Sequence, residues 1–208
     1  LLFGPDGRDP YMEEPGTLWL LHWNLAANPT GPTTWHWTFN RLAESEFTKD
    51  RLIAALRNLV VQSGWSRVAE NSLKRDVDCF IRTYVPSPVT KTVVVEDTLD
   101  CPLAELGLIQ DVEAGRVYET FREERPSLPL AVFAYALLDS WATGATNRQT
   151  LSFEEVAYRS GSPGRVFRLS EDALVDYLER IDEFTDNALG YNATAGLRQV
   201  YRRREVAP

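Results

Sequence analysis

Cysteine and histidine are almost missing from this chain. There are two of each in 208 residues, with a single methionine. A structural zinc site needs four ligands, drawn mostly from Cys and His at close spacing. Two Cys and two His make four, but they lack ligand spacing and would have to meet from distant parts of the chain, so zinc is not expected. A disulfide between Cys79 and Cys101 stays open on the sequence alone, although nothing points to an oxidising compartment. Long apolar runs are also absent. No stretch approaches the roughly 18 residues of a membrane-crossing helix, and no signal peptide opens the chain. The expectation is a cytoplasmic protein with no membrane partner.

Positive charge is short as well: 22 Lys and Arg stand against 30 Asp and Glu, a net charge of −8. A protein governed by non-specific DNA affinity leans the other way, because Lys and Arg supply the phosphate contacts. The imbalance is uneven, however. Residues 171–186 hold seven acids and one arginine, whereas 196–204 hold Arg198, Arg202, Arg203 and Arg204 with no acid. A local basic surface is compatible with the global sign.

What is present fits a folded protein. Hydrophobic content of 44% and charged content of 25% are ordinary for a globular chain, and the length suits one large domain or two small ones. The first residues, LLFGPDGRDPY, lack Met and look like the end of an element under way. The expectation is that an upstream segment is missing.

Helical patterning dominates. TLWLLHWNLAA (17–27) and TTWHWTFNRLAES (33–45) predict an aromatic helical pair, broken at Asn28-Pro29. Thr48 is a suitable cap for KDRLIAALRNLVVQS. Ser72 is read as the cap of LKRDVDCFIRTYV, whose stripe is Leu73, Val77, Phe80, Ile81 and Tyr84. VTKTVVVEDT reads as a short extended segment. CPLAELGLI reads as a short helix capped by Asp100 and closed by Gly107. A hairpin is expected near 108–122, around Ala114-Gly115. The second half predicts a helix over 129–142 and a capping box of Ser152 and Glu155. A loop at SGSPGRVFR, a helix opened by Ser170, and a hairpin near 188–203 around Thr194-Gly196 complete it. The fold class is mainly α with small β-hairpins, as two winged-helix-like helical subdomains, 1–125 and 126–208.

Two Asp-Cys pairs, Asp78-Cys79 and Asp100-Cys101, raise the question of chemistry. Lys74, Asp78 and Arg82 recur at i, i+4 and i+8, and the plain reading is an exposed ion-pair ladder. The functional reading uses the same face. Lys74, Arg75 and Arg82 steer a DNA phosphate, Asp76 and Asp78 carry catalysis, and Asp78 with Asp97 holds a divalent metal, magnesium by preference. Glu96 and Asp100 join them if the 85–95 segment folds back. Asp76 and Asp78 alone point about 200° apart around a helix and do not share one ion naturally. The thiols are expected to be partly buried beside the apolar stripe. Trp35, His36 and Trp37 offer base stacking, against core packing as the commoner use of such residues. Arg202, Arg203 and Arg204 are the best run of phosphate contacts, with a solvated tail as the alternative.

Six blocks carry a resemblance. FGPDGRDPYMEEPGTLWLLHW, SLKRDVDCFIRTYV, EDTLDCPLAELGLI, PSLPLAVFAYALLD, LSFEEVAY and SPGRVFRLSED resemble, in order and spacing, a bacterial family long catalogued as a domain of unknown function. Its members occur with DNA phosphorothioation genes, and the resemblance covers nearly the whole chain. The family pattern begins upstream of residue 1, in a segment resembling a winged helix. The resemblance implies a DNA-nicking endonuclease of the single-stranded phosphorothioation system, which replaces a non-bridging phosphate oxygen with sulfur in defence against phage. It implies as partners DNA, a cysteine desulfurase, an ATPase and an ATP-pyrophosphatase-like sulfur-transfer protein. A non-catalytic DNA-binding adaptor is the alternative function, and a homodimer stays open.

Overall fold

The computed structural model describes residues 7–66, 68–87, 100–144, 148–194 and 196–203. Nine α-helices, a 3-10 helix and two three-stranded antiparallel sheets make up the architecture of these residues. None of the helices is long and apolar enough to cross a membrane. The extended reading of VTKTVVVEDT falls outside the described residues.

Helix α1 (Pro15–Ala26) starts at a proline, whose missing N–H is no loss in a first turn. The Asp9 carboxylate accepts the N–H groups of Glu13 and Glu14 just upstream, at 2.9 and 3.1 Å. A hydrogen bond from Thr17, followed by those two amides, holds this carboxyl below its ordinary pKa. Helix α2 (Thr33–Arg41) returns alongside α1. Asn40 fastens the pair: its amide donates to Ala26 O at 2.8 Å, and its carbonyl oxygen accepts the Gly161 N–H at 2.6 Å.

Strand β1 (Glu46–Phe47) and helix α3 (Lys49–Gln62) follow, with the Thr48 side chain capping α3 through the Arg51 N–H. Helix α4 (Glu70–Tyr84) buries the expected stripe of Leu73, Val77, Phe80, Ile81 and Tyr84. Ser72 is not its cap. The boundary lies three residues earlier, at Ala69, which offers no side-chain cap. The 3-10 helix Pro102–Leu106 ends at Gly107 in the left-handed conformation, as glycine permits. Its boundary residue is Cys101, not Asp100. Asp100 instead accepts the Ser87 N–H at 2.9 Å, which lowers its pKa.

Strands β2 (Gln110–Asp111) and β3 (Tyr118–Glu119) form the first hairpin, turning through Ala114 and Gly115 with φ of 47° and 82°. Strand β1 adds to the outer side of β3 and places Phe47 opposite Tyr118. Helix α5 (Leu130–Gly144), strand β4 (Thr150–Ser152) and helix α6 (Phe153–Tyr158) open the second half. The Ser152–Glu155 capping box is present. The stretch read as a loop, SGSPGRVFR, contains helix α7 (Pro163–Val166), capped by Ser162. A Cβ on Gly164 would lie 2.7 Å from Ala157 Cα, so glycine lets α7 sit directly on α6. Ser170 caps α8 (Glu171–Glu179), which breaks at Arg180 before α9 (Ile181–Phe184). Strands β5 (Leu189–Thr194) and β6 (Leu197–Arg202) form the second hairpin, and β4 pairs with the other edge of β6.

The buried side chains form one cluster, from Leu18 in α1 to Val200 in β6. Trp19, Trp23, Phe80, Phe133, Trp141 and Phe167 are among its fully enclosed members. Truncating one such ring to Ala costs about 3–5 kcal/mol. This packing fixes the angles between α1, α2, α5 and the α6–α7 turn, and those angles shape the surface described next.

Candidate functional site

The polar face of α4 is arranged differently from a ladder along its own axis. Asp78 is bonded at 2.6 Å to Lys49, which reaches across from the first turn of α3. Lys74 pairs at 3.4 Å with Glu70, one turn back. The Asp78 hydrogen bond, ahead of every other influence, raises the Lys49 pKa. Asp76 accepts a hydrogen bond from the Thr34 hydroxyl of α2. The two carboxylates of the Asp-x-Asp pair thus serve different neighbours, as their separation around the helix predicts. Arg75 and Arg82 are exposed. Cys79 is exposed rather than buried, and Cys101 is half-buried; both thiols are free.

Among the described residues no group of three His, Cys, Asp or Glu side chains converges as a metal site would require. Asp97, named with Asp78 as a metal ligand, lies outside the described residues, as does Glu96. The described carboxylates do not fit a divalent ion, because Asp76 and Asp78 face separate partners.

The basic end of the second hairpin is well supplied with contacts. The Arg202 guanidinium lies over the Trp141 ring at 4.3 Å. Arg203 donates to Asn187 at 2.8 Å and lies 5.3 Å from the Tyr201 ring centre. Arg198 packs on Phe153 at 3.7 Å and pairs with Glu171 at 3.3 Å. Arg204 lies outside the described residues. In the aromatic helix α2, Trp35 is buried against Phe80, which removes it as a stacking platform.

A different surface draws charged groups together. The C-terminal end of α1, helix α2, the last turns of α5 and the turn after α6 enclose a cleft of about 490 Å³. That is within the usual range of ligand sites, about 300–1,000 Å³. Asn28, His36, Arg41, Tyr135, Asp139 and Arg159 are among its lining residues. Each is placed by local structure. Asp139 Oδ2 accepts the Trp23 indole N–H at 2.9 Å. Arg159 donates to Ser140 O at 2.9 Å, near the C-terminal end of α5. His36 Nδ1 sits 2.9 Å from Ala26 O, an oxygen that only accepts. The proton is therefore on Nδ1, and Nε2 carries the lone pair. Burial and then the nearby Arg41 charge lower the His36 pKa, so the ring is neutral near neutral pH.

The positive field extends beyond the cleft. Arg165 of α7 donates to Asn40 O at 3.0 Å, and burial followed by Arg41 lowers its pKa. Arg122 donates to Ala157 O at 3.1 Å and faces Arg165 electrostatically. Arg168 is buried on Thr120, and burial followed by Arg122, Arg165 and Arg125 brings its pKa down to about 10. The sequence reading missed this group. Its members are scattered from residue 41 to residue 168, and only the packing of α2 on α7 unites them.

The family model described as "Protein of unknown function (DUF4007)" matches residues 1–207. A crystal structure of SspB is 35% identical, with a TM-score of 0.83 over 97% of this chain. A magnesium ion-bound crystal structure of SspB is 34% identical, with the same TM-score of 0.83 and 97% coverage. This chain spans 59% of the length of each of those two chains. No curated protein matches significantly.

Proposed function

We propose a function from one premise: this chain belongs to the DUF4007 family. It is the DNA-handling part of a DNA phosphorothioation system and cuts one strand of DNA, the activity implied by the sequence resemblance. The single observation that carries the proposal is the likeness to SspB along 97% of the chain at 35% identity. A nick has a clear physical use in such a system. A backbone freed at one bond can rotate, which eases exchange of a non-bridging oxygen for sulfur. The cysteine desulfurase, ATPase and ATP-pyrophosphatase-like protein are the proposed partners, and the cytoplasm is the proposed location.

In this proposal Asp76 and Asp78 are the catalytic candidates on α4, with Lys74, Arg75 and Arg82 around them for phosphate. Magnesium enters as a property of the whole protein, by analogy with the ion-bound SspB. The described carboxylates do not fit that ion, so no step is routed through it. The adaptor reading draws support from the same fact: among the described residues no carboxylate cluster stands ready for hydrolysis. Relaxation of supercoiled plasmid by purified protein, with and without EDTA, separates the two. Nicked circles that vanish with EDTA support a metal-dependent nickase. Binding without nicking under all conditions supports the adaptor.

A further inference from the structure

The cleft between α1, α2, α5 and the α6–α7 turn has a composition that its packing alone does not explain. Two guanidinium groups, Arg41 and Arg159, line one concave surface in a chain of net charge −8. Arg159 uses Nη2 to hold Ser140 O, which accounts for one of its five N–H donors. Arg41 is exposed and makes no ion pair among the described residues. The one acid in the lining, Asp139, already accepts the Trp23 indole N–H.

The surroundings sharpen the point. Arg41 lies near Arg165, Arg165 near Arg122, and Arg122 near Arg168; after burial, each neighbour's charge disfavours the next. Their hydrogen bonds go mainly to backbone carbonyls and to Thr120. Glu171 lies near Arg122 and offsets part of this. A row of like charges held close together is unfavourable by itself, and an anion relieves it. Guanidinium groups offer paired N–H donors that match phosphate oxygens.

We infer that this cleft seats a phosphate of a DNA strand, gripped by Arg41 and Arg159. The inference rests on the DNA reading above. The adjoining Arg165 and Arg122 give the strand its path away from the cleft. His36 presents a neutral ring beside the seat, so it adds no charge to repel or attract the phosphate.

Gly144 supplies a test that leaves every charge in place. A Cβ at this position would lie 2.9 Å from Arg159 Cζ and Nη1, so Gly144→Ala displaces the guanidinium. The clash is with the far end of a flexible side chain, and the fold should absorb it. Arg41→Glu reverses the second grip on an exposed position. Arg116→Glu, on the exposed turn of the first hairpin, is the control of equal charge. Binding of a short fluorescent single-stranded DNA and of its duplex is titrated at several salt concentrations. Circular dichroism checks the fold of each variant.

Arg41→Glu and Gly144→Ala should each weaken binding about tenfold, on all sequences alike. Each lost contact should also flatten the salt slope by about 0.7 for the single strand and about 0.9 for the duplex. Arg116→Glu should do neither. If Gly144→Ala unfolds, Arg159→Gln takes its place. Wild-type affinity and slope in both variants overturn the cleft assignment while the DNA reading stands. Equal weakening by Arg116→Glu also overturns it, because global charge then suffices. Absence of DNA binding by the unaltered protein at low salt overturns the DNA reading and the seat with it.

Discussion

Tyr84 donates its hydroxyl proton to His22, O to Nδ1, over 2.8 Å in the centre of the protein. The direction of the bond is settled on the other side of the ring. His22 Nε2 is 2.9 Å from Val166 O, which can only accept, so Nε2 carries the proton. One fully buried imidazole thus ties α1 to α4 and α7, and Phe39 packs edge-on against it at 4.7 Å. Burial pushes its pKa down to about 4.

The first prediction concerns acid stability. In the unfolded chain His22 takes up its proton near pH 6.5, while in the fold it resists until about 4. The unfolded state therefore binds more protons in that window, and stability falls as pH drops through it. The loss from this one ring is on the order of 3 kcal/mol. Urea midpoints measured from pH 7.5 to 4 should decline, and Tyr84→Phe should cost about 1–3 kcal/mol at neutral pH by stranding Nδ1. A flat midpoint across the window would contradict the buried neutral ring.

The second prediction separates a lower acid window. Arg148, then the Ser152 amide, holds the Glu155 pKa down to about 2. A carboxylate depressed in the fold contributes stability that is complete above its ordinary pKa of 4.5. That contribution is lost as pH falls from there towards 2. Ser152→Ala should cost about 1 kcal/mol at neutral pH by removing the cap on α6. Glu155→Gln should remove the part of the acid loss that lies below pH 4.5, and an unchanged acid profile would deny Glu155 this role.

Local signals explain which parts of the fold were legible. The Thr48 cap, the Ser152–Glu155 box, the Ser170 cap and the Gly107 stop are written in neighbouring residues, and each holds. The turn at Ala114-Gly115 is local too. Ser72 and Asp100 failed as caps because a capping residue type also fits a first turn or a loop bond, as with Asp100 and Ser87. Helix α7 was missed because four residues carry no periodicity. Strands β1 and β4 exist through partners 73 and 51 residues distant, Glu119 for Glu46 and Tyr201 for Thr150. The Asp78 partner, Lys49, and the cleft arginines are set by packing between helices, on which i, i+4 spacing is silent.

The third prediction concerns the second hairpin. Arg202 lies on Trp141 and Arg203 on Asn187 and Tyr201. Replacing Arg202, Arg203 and Arg204 together with Ala should flatten the salt dependence of DNA binding by roughly 2–3 if all three reach phosphates. Arg202→Ala alone should also lower thermal stability, because its contact with a buried indole is worth about 0.5–2 kcal/mol. A stability loss with no change in salt slope would assign these arginines to packing.

The last prediction tests the Asp-x-Asp pair of α4. Asp78 Oδ1 is held by Lys49, whose ammonium also faces Tyr118. The pair is solvent-accessible, with side-chain exposures of 38% for Lys49 and 41% for Asp78. Breaking it should therefore cost only ~0.2–1 kcal/mol. Asp78→Asn keeps the shape and removes the charge. Under the nicking proposal it should abolish strand cleavage while fold and DNA binding persist. Lys49→Met is the necessary companion, because it breaks the same ion pair and leaves the carboxylate. If Asp78 acts on DNA, the Lys49 variant keeps nicking and the Asp78 variant loses it. If the ion pair merely braces α3 against α4, both variants lose activity together, by similar amounts. Asp76→Asn adds the third arm, since its amide oxygen still accepts the Thr34 hydroxyl proton. Loss of nicking there would show that charge, not the hydrogen bond, is what Asp76 supplies. Full activity in both the Asp76 and Asp78 variants would remove the α4 face from the chemistry and leave it as a brace between helices.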